Sequence, residues 1–230
     1  HGARAASSKC GTADVLEELG VAISLSPEGV KHCIETAGIG FCLATAFHPA
    51  FRFAGPSRRE IGIPTVFNLL GPMANPGRVR RQVIGVANVA FAERMVETLR
   101  SHGSRHAWVV HGMGLDELTT TGRSEVIELD HGTVRHFRVD PEALGLVRAH
   151  DEDLVGGDAA VNAAVVHSVM AGTPGAHRDI VVLNAGAGLV VGGRAATIGE
   201  GVELAQQTID SGAAANTLEA LVTASREAAG

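Results

Sequence analysis

Val83-Ile84-Gly85-Val86, then Phe91 to Ser101, then Ala107-Trp108-Val109-Val110 running into His111-Gly112-Met113-Gly114-Leu115-Asp116-Glu117, is the stretch that decides the fold. The first and third segments are short continuous apolar runs, as buried strands are, and the middle one has an amphipathic helical pattern. An apolar strand, a helix and a second apolar strand make a βαβ unit, and the unbroken apolar runs predict a parallel sheet buried on both faces. Downstream, Glu125 to Leu129 and Thr133 to Val139 pair across Asp130-His131-Gly132 as a hairpin. The fold class is therefore α/β, with a mixed, mainly parallel sheet flanked by helices.

Toward the N-terminus, Ser7 to Gly20 reads as a small-residue loop entering a helix, with Thr12 as the N-cap. Gly20 suits its stop. Ser26-Pro27-Glu28 opens a second helix that runs to about Ala37, with Pro27 in its first position. Ile39 to Ala44 is expected to be a short strand. A helix follows Phe47-His48-Pro49 through Arg59 and Glu60, and Ile63 to Pro76 is helical or irregular, broken by prolines. Toward the C-terminus come four helices: Asp158 to Met170, Arg178 to Val190, Ile198 to Ile209 and Ala213 to Ala228. Asp158, and Thr197 with Glu200 three residues on, are N-terminal cap signatures. The glycines of Asn184-Ala185-Gly186-Ala187-Gly188 follow no strand, so close helix packing explains them better than nucleotide binding.

Of 230 residues 45% are apolar, enough for a substantial core, and the formal charge of −6 offers no footprint for nucleic acid. The basic runs Arg78, Arg80, Arg81 and Arg58, Arg59 are too short to change that. Cys10, Cys33 and Cys42 fit neither a disulfide framework nor a zinc knuckle, so reduced thiols are expected. No apolar run reaches the length of a membrane span and no signal peptide is seen. A cytoplasmic protein without membrane partners is the expectation. The chain opens His1-Gly2-Ala3-Arg4 with no initiator methionine, and a missing upstream segment is expected.

Chemistry concentrates in three places. Asp116 and Glu117 follow a buried strand and two glycines, where ligands of open α/β sheets gather. Mg²⁺ favours one or two carboxylates plus substrate phosphates, and this placement favours metal over a merely solvated acidic turn. His1-Gly2-Ala3-Arg4-Ala5-Ala6-Ser7-Ser8-Lys9 combines small residues, hydroxyls and cations ahead of a helix. That suits phosphate contact through backbone N–H groups, and suits a solvated tail equally well. Arg58 could hold a substrate carboxylate by two hydrogen bonds, although a surface salt bridge to Glu60 is the simpler use of such a residue. His32, His102, His106, His167 and His177 show no metal-ligand spacing.

Taken in order, these segments resemble anthranilate phosphoribosyltransferase. His1 to Ser8 is similar to the family's Lys-His-Gly-Asn-Arg-Ala-Ala-Ser-Ser, with Ala3 in the place of its asparagine. Gly11 to Gly20, Gly38-Ile39-Gly40-Phe41, Phe47-His48-Pro49-Ala50, Arg58-Arg59-Glu60-Ile61-Gly62-Ile63 and Phe67-Asn68-Leu69-Leu70-Gly71-Pro72 with Asn75-Pro76 come next in order. Gly114-Leu115-Asp116-Glu117 and Ile209-Asp210-Ser211-Gly212 complete the likeness, which ends near Ala214.

The resemblance implies a nucleoside phosphorylase/phosphoribosyltransferase-type catalytic domain over residues 1–230, with about 45–75 contributing to a small helical lobe and hinge. It implies a homodimer and transfer of a 5-phosphoribosyl group from phosphoribosyl pyrophosphate to anthranilate, with Mg²⁺. Asp116 and Glu117 would hold the metal. His1, Gly2, Ala3, Arg4, Ala5, Ala6, Ser7, Ser8 and Thr12 would lie along the donor. Arg58 would bind the anthranilate carboxylate, with His1 and Ala3 near the ring.

The family's Gly-Thr-Gly-Gly-Asp loop and Asn-Ile-Ser-Thr stretch are not among these residues, so the 230-residue chain is expected to be inactive alone. Ala3, and Leu43-Ala44-Thr45-Ala46 in place of the family's Phe-Ala-Pro-x, leave open another aromatic acceptor. A pyrimidine nucleoside phosphorylase would share the fold, but its Lys-x-x-Ser-Gly-Arg signature is not seen. A non-catalytic nucleic-acid-binding relative would need a basic groove and a damaged Asp-Glu pair, and the acidic charge and intact pair speak against it.

Overall fold

The computed structural model describes residues 1–5, 9–53, 60 and 67–230. In chain order the helices and strands are α1 (Thr12–Glu18), α2 (Pro27–Ala37), the single turn α3 (Ala44–Phe47), α4 (Phe67–Met73), β1 (Arg81–Gly85), α5 (Ala92–Ser101), β2 (His106–Gly112), β3 (Ser124–Asp130), β4 (Thr133–Val139), α6 (Ala159–Met170), α7 (Ala176–Val191), α8 (Ile198–Asp210) and α9 (Ala213–Ala229). They divide into two compact units. One takes His1–Thr65, Gly156–Ala171 and Ser211–Gly230; the other takes Val66–Val155 and Gly172–Asp210.

The first unit is helical. Its core gathers Ala13, Val21, Ile23, Leu25, Val30, Cys33, Phe41 and Leu43 with Leu221 and Ala224 of α9. Burial raises the pKa of the Cys33 thiol, and among the described residues Cys10, Cys33 and Cys42 form no disulfide. α2 starts where Ser26 Oγ accepts the Gly29 N–H at 3.1 Å with Pro27 next, and stops at Gly38, whose φ of 76° a side chain would resist. The strand expected over Ile39 to Ala44 is not formed. Leu43 makes one isolated parallel bridge, to Gly2, and the chain turns into α3 directly after it. A bridge of one residue cannot propagate a ladder. The expected helix after Pro49 begins as a 3₁₀ turn, Pro49–Phe53, and its continuation lies outside the described residues.

The second unit contains the sheet, in the order β1-β2-β3-β4. β1 and β2 are parallel, joined through α5, as the apolar runs predicted. β2–β3 and β3–β4 are antiparallel, so among the described residues the sheet is mixed with one parallel pairing, not mainly parallel. The hairpin is tighter than expected: β3 extends through Asp130, and only His131-Gly132 turn, both with positive φ. α5 buries Ala92, Met95, Val96 and Leu99, one face at helical spacing, against Ile84, Ala107, Val109, Ile127 and Leu129. α7 packs on β1, β2 and α8. A Cβ at Gly201 would sit 2.5 Å from the Gly186 carbonyl oxygen, so the glycines of α7 and α8 do serve close helix packing.

Glu128, only 7% exposed, is the sheet's costliest residue to bury. It is satisfied by three neighbours: Trp108 Nε1 donates at 2.9 Å, Arg135 Nε at 3.0 Å, and His106 Nε2 lies 2.9 Å away. Glu128→Ala strands the Trp108 N–H in a dry place. We expect it to cost about 1–3 kcal/mol in a denaturant titration, with Glu128→Gln, which keeps an acceptor, costing less.

Candidate functional site

The acidic pair sits on a loop whose course is set by missing side chains. β2 ends at Gly112, and Met113 (φ 50°) and Gly114 (φ 96°) form a two-residue turn of the kind that needs positive φ at both positions. It is closed by Leu115 N–H to the Gly112 carbonyl at 2.8 Å and Gly112 N–H to the Leu115 carbonyl at 3.0 Å. The chain then drops back over the carboxyl ends of the parallel strands. A Cβ on Gly85, the last residue of β1, would overlap the Asp116 carbonyl, and one on Gly112 would lie 2.5 Å from the Glu117 carbonyl oxygen. Both positions must be glycine for this path.

Beyond the pair, the chain is gripped again. Leu118 is fully buried. Its N–H is accepted by Asn184 Oδ1 at 3.0 Å, and Asn184 Nδ2 donates to its carbonyl at 2.8 Å. Thr119, Thr120 and Thr121 come after it, all buried, with the Thr119 N–H bonded to Ser124 Oγ at 2.9 Å. Under the turn, His111 Nδ1 lies 2.8 Å from the Val86 carbonyl, which accepts from the Nδ1–H tautomer. Asp116 and Glu117 are thus presented to solvent between fixed points.

Protein packed around Glu117, and then the charge of Asp116, raise the Glu117 pKa above the ordinary glutamate value. A divalent cation against both carboxylates would relieve the same repulsion. Among the described residues no three His, Cys, Asp or Glu side chains gather as a metal cage. Two exposed carboxylates fit a hard cation that completes its shell with substrate oxygens and water, as Mg²⁺ does.

The residues expected along the donor lie in the first unit. Gly2 N–H bonds the Cys42 carbonyl at 3.1 Å, and Ala44 N–H bonds the Gly2 carbonyl at 2.7 Å. The His1 ring stands edge-on to His48, centroids 5.1 Å apart. Ala3 and Arg4 are exposed, and Ala5 is half-buried. Asp14 organises this segment by accepting from the Ala5 and Gly11 N–H groups, both at 2.9 Å, which hold its pKa below the aspartate norm. Gly11, not Thr12, is the cap of α1; Thr12 is its first helical residue, exposed. The Arg4 guanidinium is engaged by Glu17, with Nη2 to Oε1 at 2.9 Å, and by Asp14. Ala6, Ser7, Ser8 and Arg58 lie outside the described residues.

Asn184 and Gly85 carry no motif and were missed. The one signal for Asn184 was an amide inside an otherwise apolar run, Leu183 to Val191.

The model of a family described as "Glycosyl transferase family, a/b domain" matches residues 1–215. An anthranilate phosphoribosyltransferase of Afipia carboxidovorans is 52% identical over 227 residues, 98% of this chain and 67% of that protein. The chain belongs to the anthranilate phosphoribosyltransferase family. An anthranilate phosphoribosyltransferase of Azorhizobium caulinodans is 50% identical over 98% of this chain and 66% of its own length. The chain thus spans about two thirds of the length of the relatives it matches. The family's enzyme from Thermus thermophilus superposes with a TM-score of 0.92 at 43% identity, over 98% of this chain and 68% of that one. That from Saccharomyces cerevisiae, solved in complex with PRPP and Mg, gives 0.87 at 25% identity over 99% of this chain and 64% of its own. The fold expected from the family likeness is confirmed by these neighbours.

The raised Glu117 pKa has a consequence for stability. An acid whose pKa rises on folding supports the fold fully below its unfolded pKa, and that support is lost as pH climbs through the raised value. Glu117→Gln should therefore raise the denaturant midpoint at neutral pH, with the gain vanishing below the ordinary glutamate range. A gain that persists unchanged in acid would show that charge is not its cause.

Proposed function

We propose that this protein transfers the 5-phosphoribosyl group of phosphoribosyl pyrophosphate to the amine of anthranilate, giving N-(5-phosphoribosyl)anthranilate and pyrophosphate in tryptophan biosynthesis. Family membership supports this reading, and the exposed, glycine-seated Asp116–Glu117 pair is the observation that carries it. In the reaction the bond from ribose C1 to pyrophosphate breaks, an oxocarbenium-like centre develops, and the aromatic amine forms the new C–N bond and releases a proton. Bound Mg²⁺ supplies neutralising charge for the departing pyrophosphate. Asp116 and Glu117 hold and orient that charge. His1, Gly2, Ala3, Arg4, Ala5, Ala6, Ser7, Ser8 and Thr12 flank the donor, Arg4 through the order its ion pair imposes on the segment. Arg58 takes the acceptor carboxylate, with His1 and Ala3 toward the ring. An aromatic amine is nucleophilic in its neutral form, so no strong protein base is required. The protein acts in the cytoplasm as a homodimer, with residues about 45–75 in a small helical lobe.

A second reading, transfer to a different aromatic acceptor, is favoured by Ala3 and Thr45. Both are exposed, and both replace residues the family places on the acceptor side. Losing one polar contact there costs about 1–3 kcal/mol.

Pyrophosphate release from phosphoribosyl pyrophosphate, measured with and without anthranilate and Mg²⁺ on protein that also carries the family's Gly-Thr-Gly-Gly-Asp loop and Asn-Ile-Ser-Thr stretch, separates these readings. Anthranilate-dependent turnover is expected to fall in Asp116→Asn or Glu117→Gln by at least the about 10–100-fold that loss of a metal ligand's outer partner costs. Turnover with another aromatic amine but not anthranilate would move the second reading to first place. Donor binding indifferent to Mg²⁺ and to both substitutions would sink the role given to the pair.

A further inference from the structure

Asn184 stands at 66 residues' distance in sequence from the loop it holds. One side-chain amide takes both backbone groups of Leu118, accepting its N–H and donating to its carbonyl. The same Nδ2 donates to the Ile180 carbonyl at 3.0 Å, one turn back in α7. Only an amide can do this, because the site asks for an acceptor and a double donor in one plane; a carboxylate donates nothing and an aliphatic chain neither donates nor accepts. The grip falls on the residue directly after Glu117. On the near side, the loop is seated on Gly85 and Gly112. The acidic pair is therefore fixed twice: its own backbone is seated against the two glycines, and the residue after it is held by Asn184. Adjacent carboxylates repel, so an unanchored loop would relax by spreading them apart and losing the shape a small cation demands.

We propose that Asn184 is a positioning residue for the metal-binding pair, fixing the separation and direction of the Asp116 and Glu117 carboxylates through Leu118; this rests on the reading of that pair given under Proposed function. Ligand-orienting partners of this kind are worth about 10–100-fold in metal affinity. A role confined to cementing α7 onto its unit would change stability and leave metal affinity alone.

The test titrates Mn²⁺ in the presence of pyrophosphate, following free metal by electron paramagnetic resonance, and reads Leu118 amide exchange by NMR. Asn184→Ala should expose the Leu118 N–H to exchange and weaken Mn²⁺ binding about 10–100-fold. Asp116→Asn should lose the metal while Leu118 stays protected. A folded Asn184→Ala protein with fast Leu118 exchange and wild-type Mn²⁺ affinity overturns the inference and leaves the reading of the pair intact. A wild-type protein that binds no Mn²⁺ with pyrophosphate overturns that reading and the inference with it. Should Asn184→Ala not fold, Asn184→Asp decides. It keeps the acceptor for Leu118 N–H, and its added charge alone would strengthen cation binding. Weaker binding then upholds the geometric role, and equal or stronger binding overturns it.

Discussion

The Asp116 carbonyl rests where a side chain on Gly85 would have to be, and the second unit is arranged around that close approach. Parallel β1 and β2 bring two strand ends side by side. Each ends in glycine, and the loop leaving β2 folds back across both. The cost is visible in Met113, a non-glycine residue at positive φ, held there by the two hydrogen bonds that close the turn. Past the pair, the threonine run is buried, with Thr119 bonded to Ser124 and to Thr121, and this ties down the chain. Two negative charges are thereby displayed on backbone that cannot retreat, as an electrostatic site requires if it is to be organised before its ligand arrives.

The first unit solves a similar problem with charge. Asp14 collects two N–H groups of the N-terminal segment, and Arg4 is tied to Glu17 and Asp14. Arg4, which the family likeness places along the donor, also fixes the segment's own path. Gly11 lets that segment lie on the start of α1, since a Cβ there would stand 2.6 Å from the Ala5 nitrogen.

Much of this was legible in the sequence, for physical reasons. The apolar runs at Val83 and Ala107 and the Ala92, Met95, Val96, Leu99 stripe are local patterns that burial on a sheet enforces, so the βαβ unit could be read directly. The hairpin and the caps at Ser26, Asp158 and Thr197 are equally local. The acidic loop was legible because its glycines and carboxylates are contiguous. Asn184 was not, because its meaning lies in a contact with distant Leu118. The Ile39 to Ala44 segment had a strand's composition, but among the described residues its one bridge partner is Gly2, and a lone bridge makes no strand. The glycine cap of α1 was hidden because a glycine has no side chain to cap with; the cap is held instead by Asp14, three residues on, which accepts the Gly11 N–H.

Adding one methyl group at Gly85 tests the account most directly. Gly85→Ala must push the Asp116 backbone off the end of β1, and overpacking of this kind costs about 1–3 kcal/mol. A lowered denaturant midpoint together with loss of Mg²⁺-dependent affinity for phosphoribosyl pyrophosphate is expected. Unchanged stability and unchanged donor affinity would contradict the claim that the acidic loop owes its position to the missing side chain.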